Sequence, residues 1–166
     1  MMTHPTWELP VSGTHGALIL TPCPGTKGVE LIQSLTQLKA QGVEAIATAL
    51  SQDELIEKGV GSLGEEVQRL GMKWFYLPIE DDCAPGDEFT TQWQLATPEL
   101  QRVLKNNGKV AMHCMGGSGR TGLLAGHLLL DLGWDLDVIK QQVQALRPGA
   151  FTKPVQIEYI DSIANK

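Results

Sequence analysis

Short continuous apolar runs alternate along this chain with stretches in which apolar residues recur every three or four positions. The continuous runs predict buried strands, at residues 17–20, 43–50, 72–77 and 109–112. The spaced stretches predict helices, at about residues 29–38, 51–58, 63–70, 89–105, 120–132 and 136–146, with a last helix from about residue 154. Strands that alternate with helices favour an α/β fold, in which a mostly parallel central sheet is flanked by helices on both faces.

Local signals mark where several of these elements begin. Ser51 and Glu54 form the capping-box pattern that starts a helix, and Asp135 is a suitable N-cap for the helix that follows it. Residues 1–16 are rich in Pro, Gly, Thr and His and predict a loose N-terminal lead-in. A chain of 166 residues supports one sizeable core and is too short for two comfortable ones, so we expect a single domain over residues 1–166.

The composition is that of a globular protein with an acidic balance. Hydrophobic residues make up 42% and charged residues 19%, which argues against long disorder. The 13 basic and 19 acidic side chains give a formal net charge of -6, which disfavours nucleic acid or an anionic membrane as the main partner. No apolar stretch approaches the ~20 residues that span a bilayer. The N-terminus also lacks a basic segment followed by an apolar run, so no signal peptide is expected.

The three cysteines, Cys23, Cys83 and Cys114, cannot all pair with one another and show no metal-ligand spacing. This usage suits the reducing cytoplasm, where Cys114 would remain a thiol. We therefore expect a cytoplasmic protein that needs neither a metal nor a cofactor, and we take a monomer as its simplest state.

The segment His-Cys-Met-Gly-Gly-Ser-Gly-Arg-Thr-Gly at residues 113–122 lies between a predicted strand and a predicted helix. That order directs several backbone N–H groups towards one point at the positive end of a helix. The three glycines between Cys114 and Arg120 permit backbone angles that a Cβ would forbid, so the amides of residues 115–119 can converge on an anion. Arg120 adds a planar, two-pronged donor that suits phosphate oxygens.

The same positive environment stabilises a thiolate at Cys114, which makes this residue a candidate nucleophile. A buried structural cysteine beside a glycine-rich turn is the alternative. It does not explain why His, Cys, three Gly, Arg and Thr occur together within ten residues. The expected chemistry is attack of the sulfur on a bound phosphoryl group.

Together with a carboxylate loop further upstream, this Cys-(x)5-Arg segment resembles the cysteine-dependent protein phosphatases of the tyrosine and dual-specificity type. The carboxylate loop reads Pro-Ile-Glu-Asp at residues 78–81 and is followed by Pro85. Within that superfamily the chain resembles in particular the cyclin-dependent kinase inhibitor 3 (kinase-associated phosphatase) family. The similarity extends to residues 21–25, 38–43 and 147–150 and to Gln156.

The resemblance implies a metal-independent phosphatase that acts on phosphotyrosine, and on phosphoserine or phosphothreonine, through a cysteinyl-phosphate on Cys114. Arg120 would hold equatorial phosphate oxygens, and His113 would brace the loop. Thr121 would donate a hydrogen bond to the sulfur, unless its hydroxyl bonds only helix backbone. The amides that would bind the phosphate belong to Met115, Gly116, Gly117, Ser118 and Gly119.

A leaving alkoxide or phenoxide needs a proton, so a general acid is expected at the rim of the pocket. The family pattern Pro-Ile-x-Asp, with Pro85 four residues further on, selects Asp81 for this role, and Asp82 is the alternative. Gln156 matches the family position that orients the hydrolytic water, although a surface glutamine fits the pattern nearly as well. Arg147 would brace the loop or extend the positive potential around it, unless it is only a helix C-terminal cation.

Positions 115–119 are uncharged, whereas relatives that cleave phosphoinositides tend to carry basic side chains there, so a phosphorylated protein is the expected substrate. No extended phosphotyrosine-recognition segment is recognisable upstream, and we expect a pocket shallow enough for phosphoserine and phosphothreonine. Two other functions stay open: a phosphoprotein-binding module without turnover, and a rhodanese-type sulfurtransferase or arsenate reductase, which also place Cys in an anion loop. The His-Cys start, Arg120 with Thr121 and the acid loop argue against the enzymes of the second kind.

Overall fold

The fold is built on a sheet whose strands are mostly parallel. The computed structural model describes residues 3–166, and within them five strands form one sheet. They are β1 Trp7–Pro10, β2 Ala17–Thr21, β3 Val43–Thr48, β4 Lys73–Tyr76 and β5 Lys109–His113. Across the sheet their order is β1-β2-β5-β3-β4, with β1 antiparallel to β2 and the other pairings parallel.

Helices cover both faces of this sheet. In the described part of the chain they are α1 Leu31–Ala40, α2 Gln52–Glu57, α3 Leu63–Arg69, α4 Asp87–Lys105, α5 Gly119–Asp131, α6 Leu136–Leu146 and α7 Pro154–Ala164. The helices α1 to α3 bury Leu35, Leu55 and Leu63 against one face. The helices α4 to α7 bury residues such as Leu100 and Leu124 against the other. This arrangement confirms the predicted α/β fold, and none of these helices is long and apolar enough to cross a membrane.

Side chains of the central strands alternate between the two faces. On β5, Val110 and Met112 pack with α4 to α7, whereas Ala111 packs with α1 to α3. On β3, Ala47 packs with α4 to α7, whereas Ile46 packs with α1 to α3. Because both faces are buried, these strands are apolar at nearly every position, which is why they stand out in the sequence as continuous runs.

The predicted helix starts are present in the structure. Ser51 Oγ accepts a hydrogen bond from the Glu54 N–H at 3.2 Å, and the Glu54 carboxylate accepts one from the Ser51 N–H at 3.2 Å. Asp135 accepts a hydrogen bond from the Asp137 N–H at 3.1 Å. Element ends differ from the sequence prediction by about two residues, since β3 ends at Thr48 and α4 begins at Asp87, which is the usual uncertainty of such boundaries.

The prediction of a loose lead-in over residues 1–16 is wrong at residues 7–10, because Trp7–Pro10 forms β1. The Pro and Gly content suggested irregular chain, but an edge strand tolerates Pro10 at its end. Leu9 and Val11 are buried in the core and anchor the segment. The first two residues of the chain lie outside the described part.

The carboxyl ends of the four parallel strands, β2, β5, β3 and β4, lie at one edge of the sheet. The loops that follow these strands therefore meet above this edge, which is where ligands bind in open α/β sheets. The loop after β5 is the glycine-rich segment that the sequence marks as chemically active. Glu54, in the helix α2 that follows β3, and Asp81, in the loop after β4, both lie near Arg120 at this edge.

Candidate active site

The loop at residues 114–118 joins β5 to α5, and all five of its carbonyl oxygens accept hydrogen bonds, the last of them from the first turn of α5. From Cys114 to Ser118 the donors are His113 Nδ1 at 3.2 Å, Cys23 N at 3.0 Å, Arg147 Nη2 at 2.8 Å, Arg147 Nε at 3.1 Å and Gly122 N at 2.7 Å. A peptide carbonyl and the N–H that follows it point in opposite directions. The amides of residues 115–119 therefore point away from the donors that hold these carbonyls, as an anion cradle at a helix N-terminus requires.

The three loop glycines differ in how much room a side chain would have. Gly117 has φ of 82°, and a Cβ there would come within 2.7 Å of the backbone of Thr21 and Pro22. At Gly119 a Cβ would come within 2.7 Å of Gln156 Nε2, so this glycine permits a close approach. At Gly116 a Cβ would meet no described residue within 4 Å, so the structure shows no steric need for glycine at that position.

Cys114 lies at the base of the loop, directly after β5, and is 4% exposed. The hydroxyl of Thr121 donates a hydrogen bond to its Sγ at 3.2 Å, which is the contact suggested by the sequence. Thr121 belongs to the first turn of α5, so the positive end of that helix lies beside the sulfur. A hydroxyl donor and a helix N-terminus both stabilise a thiolate.

The guanidinium of Arg120 is held by the protein on one side. Its Nη1 donates to Glu54 Oε1 and to Ile79 O, both at 2.9 Å, and its Nη2 donates to Glu54 Oε2 at 3.1 Å. Three of the five N–H groups are thus used. The remaining pair, Nε–H and the second Nη2–H, has the fork geometry that suits two phosphate oxygens.

Glu54 is a site residue that the sequence does not reveal, because its local pattern is only that of the second half of a capping box. Partial burial opposes its ionisation, but hydrogen bonds from Arg120 and Ser51 hold the pKa of Glu54 below its ordinary value. The ionised carboxylate then fixes the Arg120 guanidinium through two bonds. One sequence signal could have identified Glu54 as a site residue. The helix α2 follows the carboxyl end of β3, and this is the edge of the sheet where ligand sites form.

His113 supports the loop from within the core. Complete burial lowers the pKa of His113 to about 4, so the imidazole is neutral near pH 7. Trp74 Nε1 donates to Thr48 Oγ1 at 2.8 Å, and Thr48 Oγ1 lies 2.7 Å from His113 Nε2. The hydroxyl can therefore donate to Nε2 while Nδ1–H donates to the Cys114 carbonyl, so this chain of hydrogen bonds sets the orientation of the ring.

The two candidate acids occupy different environments. Asp81 lines the pocket, and its Oδ1 lies 3.8 Å from Arg120 Nη2. Asp82 instead forms an ion pair with Lys153. The hydrogen bond and the charge of Lys153 hold the pKa of Asp82 below its ordinary value, which favours its ionised form. The structure thus brings Asp81, rather than Asp82, to the pocket.

Gln156 lies on α7 and is buried, with 3% of its surface exposed. It lines the pocket beside Gly119, and its Oε1 has no hydrogen-bond partner among the described residues. A buried amide oxygen without a protein partner is expected to bind water. This position fits the expectation of a water-orienting role better than the alternative of a surface glutamine.

These groups enclose a pocket of about 260 Å³, lined by Asp81, Cys114, Met115, Gly116, Ser118, Gly119, Arg120, Gly149, Lys153 and Gln156. The other residues expected at the site lie behind this lining. Thr121 contacts the sulfur, His113 and Arg147 bind loop carbonyls, and Gly117 packs against the end of β2. Lys153 was missed by sequence reasoning because a lysine before a helix carries no signal of its own.

Comparisons with known proteins agree with this geometry. Residues 10–143 match the family model of cyclin-dependent kinase inhibitor 3 (CDKN3). The chain is 29% identical over 168 residues to cyclin-dependent kinase inhibitor 3 of Rattus norvegicus, covering 95% of this chain and 77% of the relative. It is 31% identical over 88 residues to tyrosine-protein phosphatase CDC14 of Saccharomyces cerevisiae, covering 52% of this chain and 15% of that protein.

The fold is also similar to a solved structure. The crystal structure of kinase associated phosphatase (KAP), with its catalytic-site cysteine replaced by serine, superposes with a TM-score of 0.88. That chain is 25% identical, and the match covers 99% of this chain and 96% of the other. With the family model matching most of the sequence, the chain belongs to the cyclin-dependent kinase inhibitor 3 family, within the dual-specificity phosphatase superfamily.

Proposed function

We propose that this protein is a metal-independent protein phosphatase that acts on phosphotyrosine, phosphoserine and phosphothreonine through a cysteinyl-phosphate intermediate. The observation that carries the proposal is the loop at residues 114–118, with its five hydrogen-bonded carbonyls and a thiol at its base. Inward amides and the two unused donors of Arg120 supply the positive groups that a transferring phosphoryl group needs. Relatives named as phosphatases support the same class of reaction.

In the first step the Cys114 thiolate attacks phosphorus, so an S–P bond forms and the P–O bond to the leaving group breaks. The loop amides and Arg120 stabilise the charge on the equatorial oxygens. Asp81 transfers a proton to the leaving oxygen as that bond breaks. Asp82 is less suited to this role because its bond to Lys153 favours the ionised form.

In the second step water attacks the phosphorus of the intermediate, and the Asp81 carboxylate accepts a proton from that water. The S–P bond breaks, inorganic phosphate leaves and the thiolate is restored. The Thr121 hydroxyl stabilises the departing sulfur through its hydrogen bond. The side-chain amide of Gln156, which lines the pocket beside Gly119, orients the attacking water.

The pocket lining supports dual specificity. Its side chains within the described residues are small or flexible and include no aromatic ring. A pocket without aromatic walls has no surface that favours a phenyl ring over an alkyl chain by stacking. We therefore expect phosphoserine and phosphothreonine peptides to reach Cys114 as well as phosphotyrosine peptides.

The proposal is tested by assaying the purified protein with p-nitrophenyl phosphate and a panel of phosphopeptides in the presence of EDTA. We expect turnover by the wild type and a loss on the order of 10⁴-fold or more in Cys114→Ser. Cys83→Ser is the matched control, since Cys83 is an exposed cysteine near the carboxylate loop and should be dispensable for turnover. Activity that survives Cys114→Ser contradicts the proposal, as does activity lost to the chelator. Phosphopeptide binding without hydrolysis would instead identify a binding module.

The acid role is tested separately with leaving groups of different basicity. Asp81→Asn should slow hydrolysis of a phosphoserine peptide by about 10²-fold or more. It should slow p-nitrophenyl phosphate much less, because nitrophenolate leaves without protonation. Asp82→Asn should change the rate of hydrolysis of both substrates only weakly. Equal losses on the two substrates in Asp81→Asn would assign the acid to another residue.

A further inference from the structure

Trp7 lies in the first strand, yet the sheet brings it close to the catalytic loop. On β1 it lies opposite Leu20 of β2, and Leu20 lies opposite Met112 of β5. All three side chains face the core shared with α4 to α7. Met112 precedes Cys114 by two residues, so this row of side chains ends at the edge of the sheet where the loop begins.

One side chain connects Trp7 to that loop. The Cζ of Arg147 lies 3.8 Å from the centroid of the Trp7 ring, so the guanidinium lies over the face of the indole. The same guanidinium donates through Nη2 to Gly116 O at 2.8 Å and through Nε to Gly117 O at 3.1 Å. Trp7, Arg147 and two successive loop carbonyls thus form one continuous set of contacts.

The stacking matters because neither partner of these hydrogen bonds is rigid by itself. An arginine side chain has many rotamers, and Arg147 follows the last residue of α6. Two successive glycines give the loop backbone little stiffness of its own. An aromatic face fixes the plane of a guanidinium, and with the plane fixed the Nε–H and Nη2–H donors remain directed at both carbonyls.

A second contact ties the N-terminal segment to the other side of the loop. The buried His4 lies with its Nε2 2.7 Å from Thr21 Oγ1 and 3.2 Å from Pro22 O. The backbone of Thr21 and Pro22 is the surface against which Gly117 packs. The segment before β2 therefore supports Gly117 through Thr21 and Pro22, while Trp7 supports the carbonyl of Gly117 through Arg147.

We propose that Trp7 is a positioning residue of the phosphate loop, residues 114–118. Its indole holds the guanidinium of Arg147, which binds the carbonyls of Gly116 and Gly117 and so directs the amides that follow them towards the phosphate. This inference rests on the proposed function only in naming phosphate as the ligand. Trp7 touches neither substrate nor sulfur and acts entirely through Arg147.

The test measures tungstate binding by calorimetry, together with thermal unfolding, in the full chain. Trp7→Leu removes the aromatic face, Trp7→Phe keeps one, and Arg147→Lys keeps the charge but loses the fork. Trp134→Leu is the matched control, since Trp134 packs against the same core. Trp134 lies beyond the C-terminal end of α5, roughly 20 Å from the loop at residues 114–118.

We expect Trp7→Leu to weaken tungstate binding about three- to tenfold, the effect of losing a cation–π contact. Trp7→Phe should stay within about twofold of the wild type. Trp134→Leu should lower the melting temperature without weakening tungstate binding. In the double variant, Trp7→Leu should add nothing to the loss caused by Arg147→Lys, because both act on one set of contacts.

The proposal is overturned if Trp7→Leu lowers the melting temperature as Trp134→Leu does and binds tungstate like the wild type. It is also overturned if the losses of Trp7→Leu and Arg147→Lys add. Should Trp7→Leu fail to fold, wild-type affinity in Arg147→Lys alone contradicts it. Tungstate binding needs no turnover, so a protein that binds tungstate without hydrolysing phosphate would refute the proposed function and still test Trp7.

Discussion

At the scale of single residues, Glu54 serves both a helix and the site. Its carboxylate completes the capping box of α2 with Ser51 and also accepts two hydrogen bonds from Arg120. The first role is visible in the sequence because its partner is three residues away. The second joins residues 66 positions apart. A buried guanidinium depends strongly on such a partner, since removing it leaves an uncompensated charge.

Glu54→Gln should therefore lower kcat/KM about ten- to hundredfold, because Arg120 loses the charged, two-point partner that fixes its fork. Glutamine still serves at the third position of a capping box, so α2 should keep its start. Steady-state kinetics with p-nitrophenyl phosphate measure the effect. Glu57→Gln on the exposed side of the same helix is the control. Equal kinetics in the two variants would show that Arg120 does not depend on Glu54.

At the scale of elements, the phosphate loop depends on its close packing against the end of β2. Gly117 combines a left-handed backbone with a position where a Cβ would meet the Thr21–Pro22 backbone. Gly133, after α5, shares the left-handed conformation with φ of 90° but has nothing within 4 Å of a Cβ. The two glycines therefore separate the effect of backbone strain from the effect of loop displacement.

Gly133→Ala should cost about 1 kcal/mol of unfolding free energy and leave turnover unchanged, since only the left-handed conformation is penalised. Gly117→Ala should cost more and also lower kcat/KM by at least about tenfold, because the loop must move away from β2 to admit the methyl group. Urea denaturation and steady-state kinetics measure the two effects. Loss of stability without loss of turnover in Gly117→Ala would show that the loop tolerates this displacement.

At the scale of the whole molecule, buried histidines couple the core to pH. His127 on α5 packs against the rings of Phe89 and Trp93 on α4 and of Tyr159 on α7. Its Nε2 lies 2.6 Å from the Tyr159 hydroxyl. Burial lowers the pKa of His127 to about 4, against 6.5 for the free side chain. The contact between three helices therefore requires a neutral imidazole.

Since the folded pKa lies below the unfolded one, the unfolded chain binds more protons between pH 6.5 and 4, and stability falls as the pH falls through that range. His127 alone should contribute a loss on the order of 3 kcal/mol. His127→Gln should therefore be less stable than the wild type at pH 7 but lose less free energy between pH 6.5 and 4. Urea denaturation across that range measures both slopes, and parallel slopes would contradict the assignment.

The sequence by itself determined the four parallel strands, the helices that alternate with them and the strand, loop and helix that contain residues 113–122. The periodicity of burial is local, and a strand, a glycine-rich turn and a helix are contiguous in the chain. The boundaries shifted by about two residues, and the capping signals at Ser51 and Asp135 were correct. For the same reason the family resemblance rested mainly on a short, contiguous loop.

Only the tertiary structure decided which distant groups complete the site. It brought Glu54 to Arg120, tied Asp82 to Lys153 and left Asp81 at the pocket. It also made a strand of an N-terminal segment whose Pro and Gly content suggests irregular chain. The contacts of Glu54 and Asp82 join residues far apart in sequence, whereas β1 pairs with the neighbouring β2. All of them depend on burial and geometry that the local sequence pattern did not reveal.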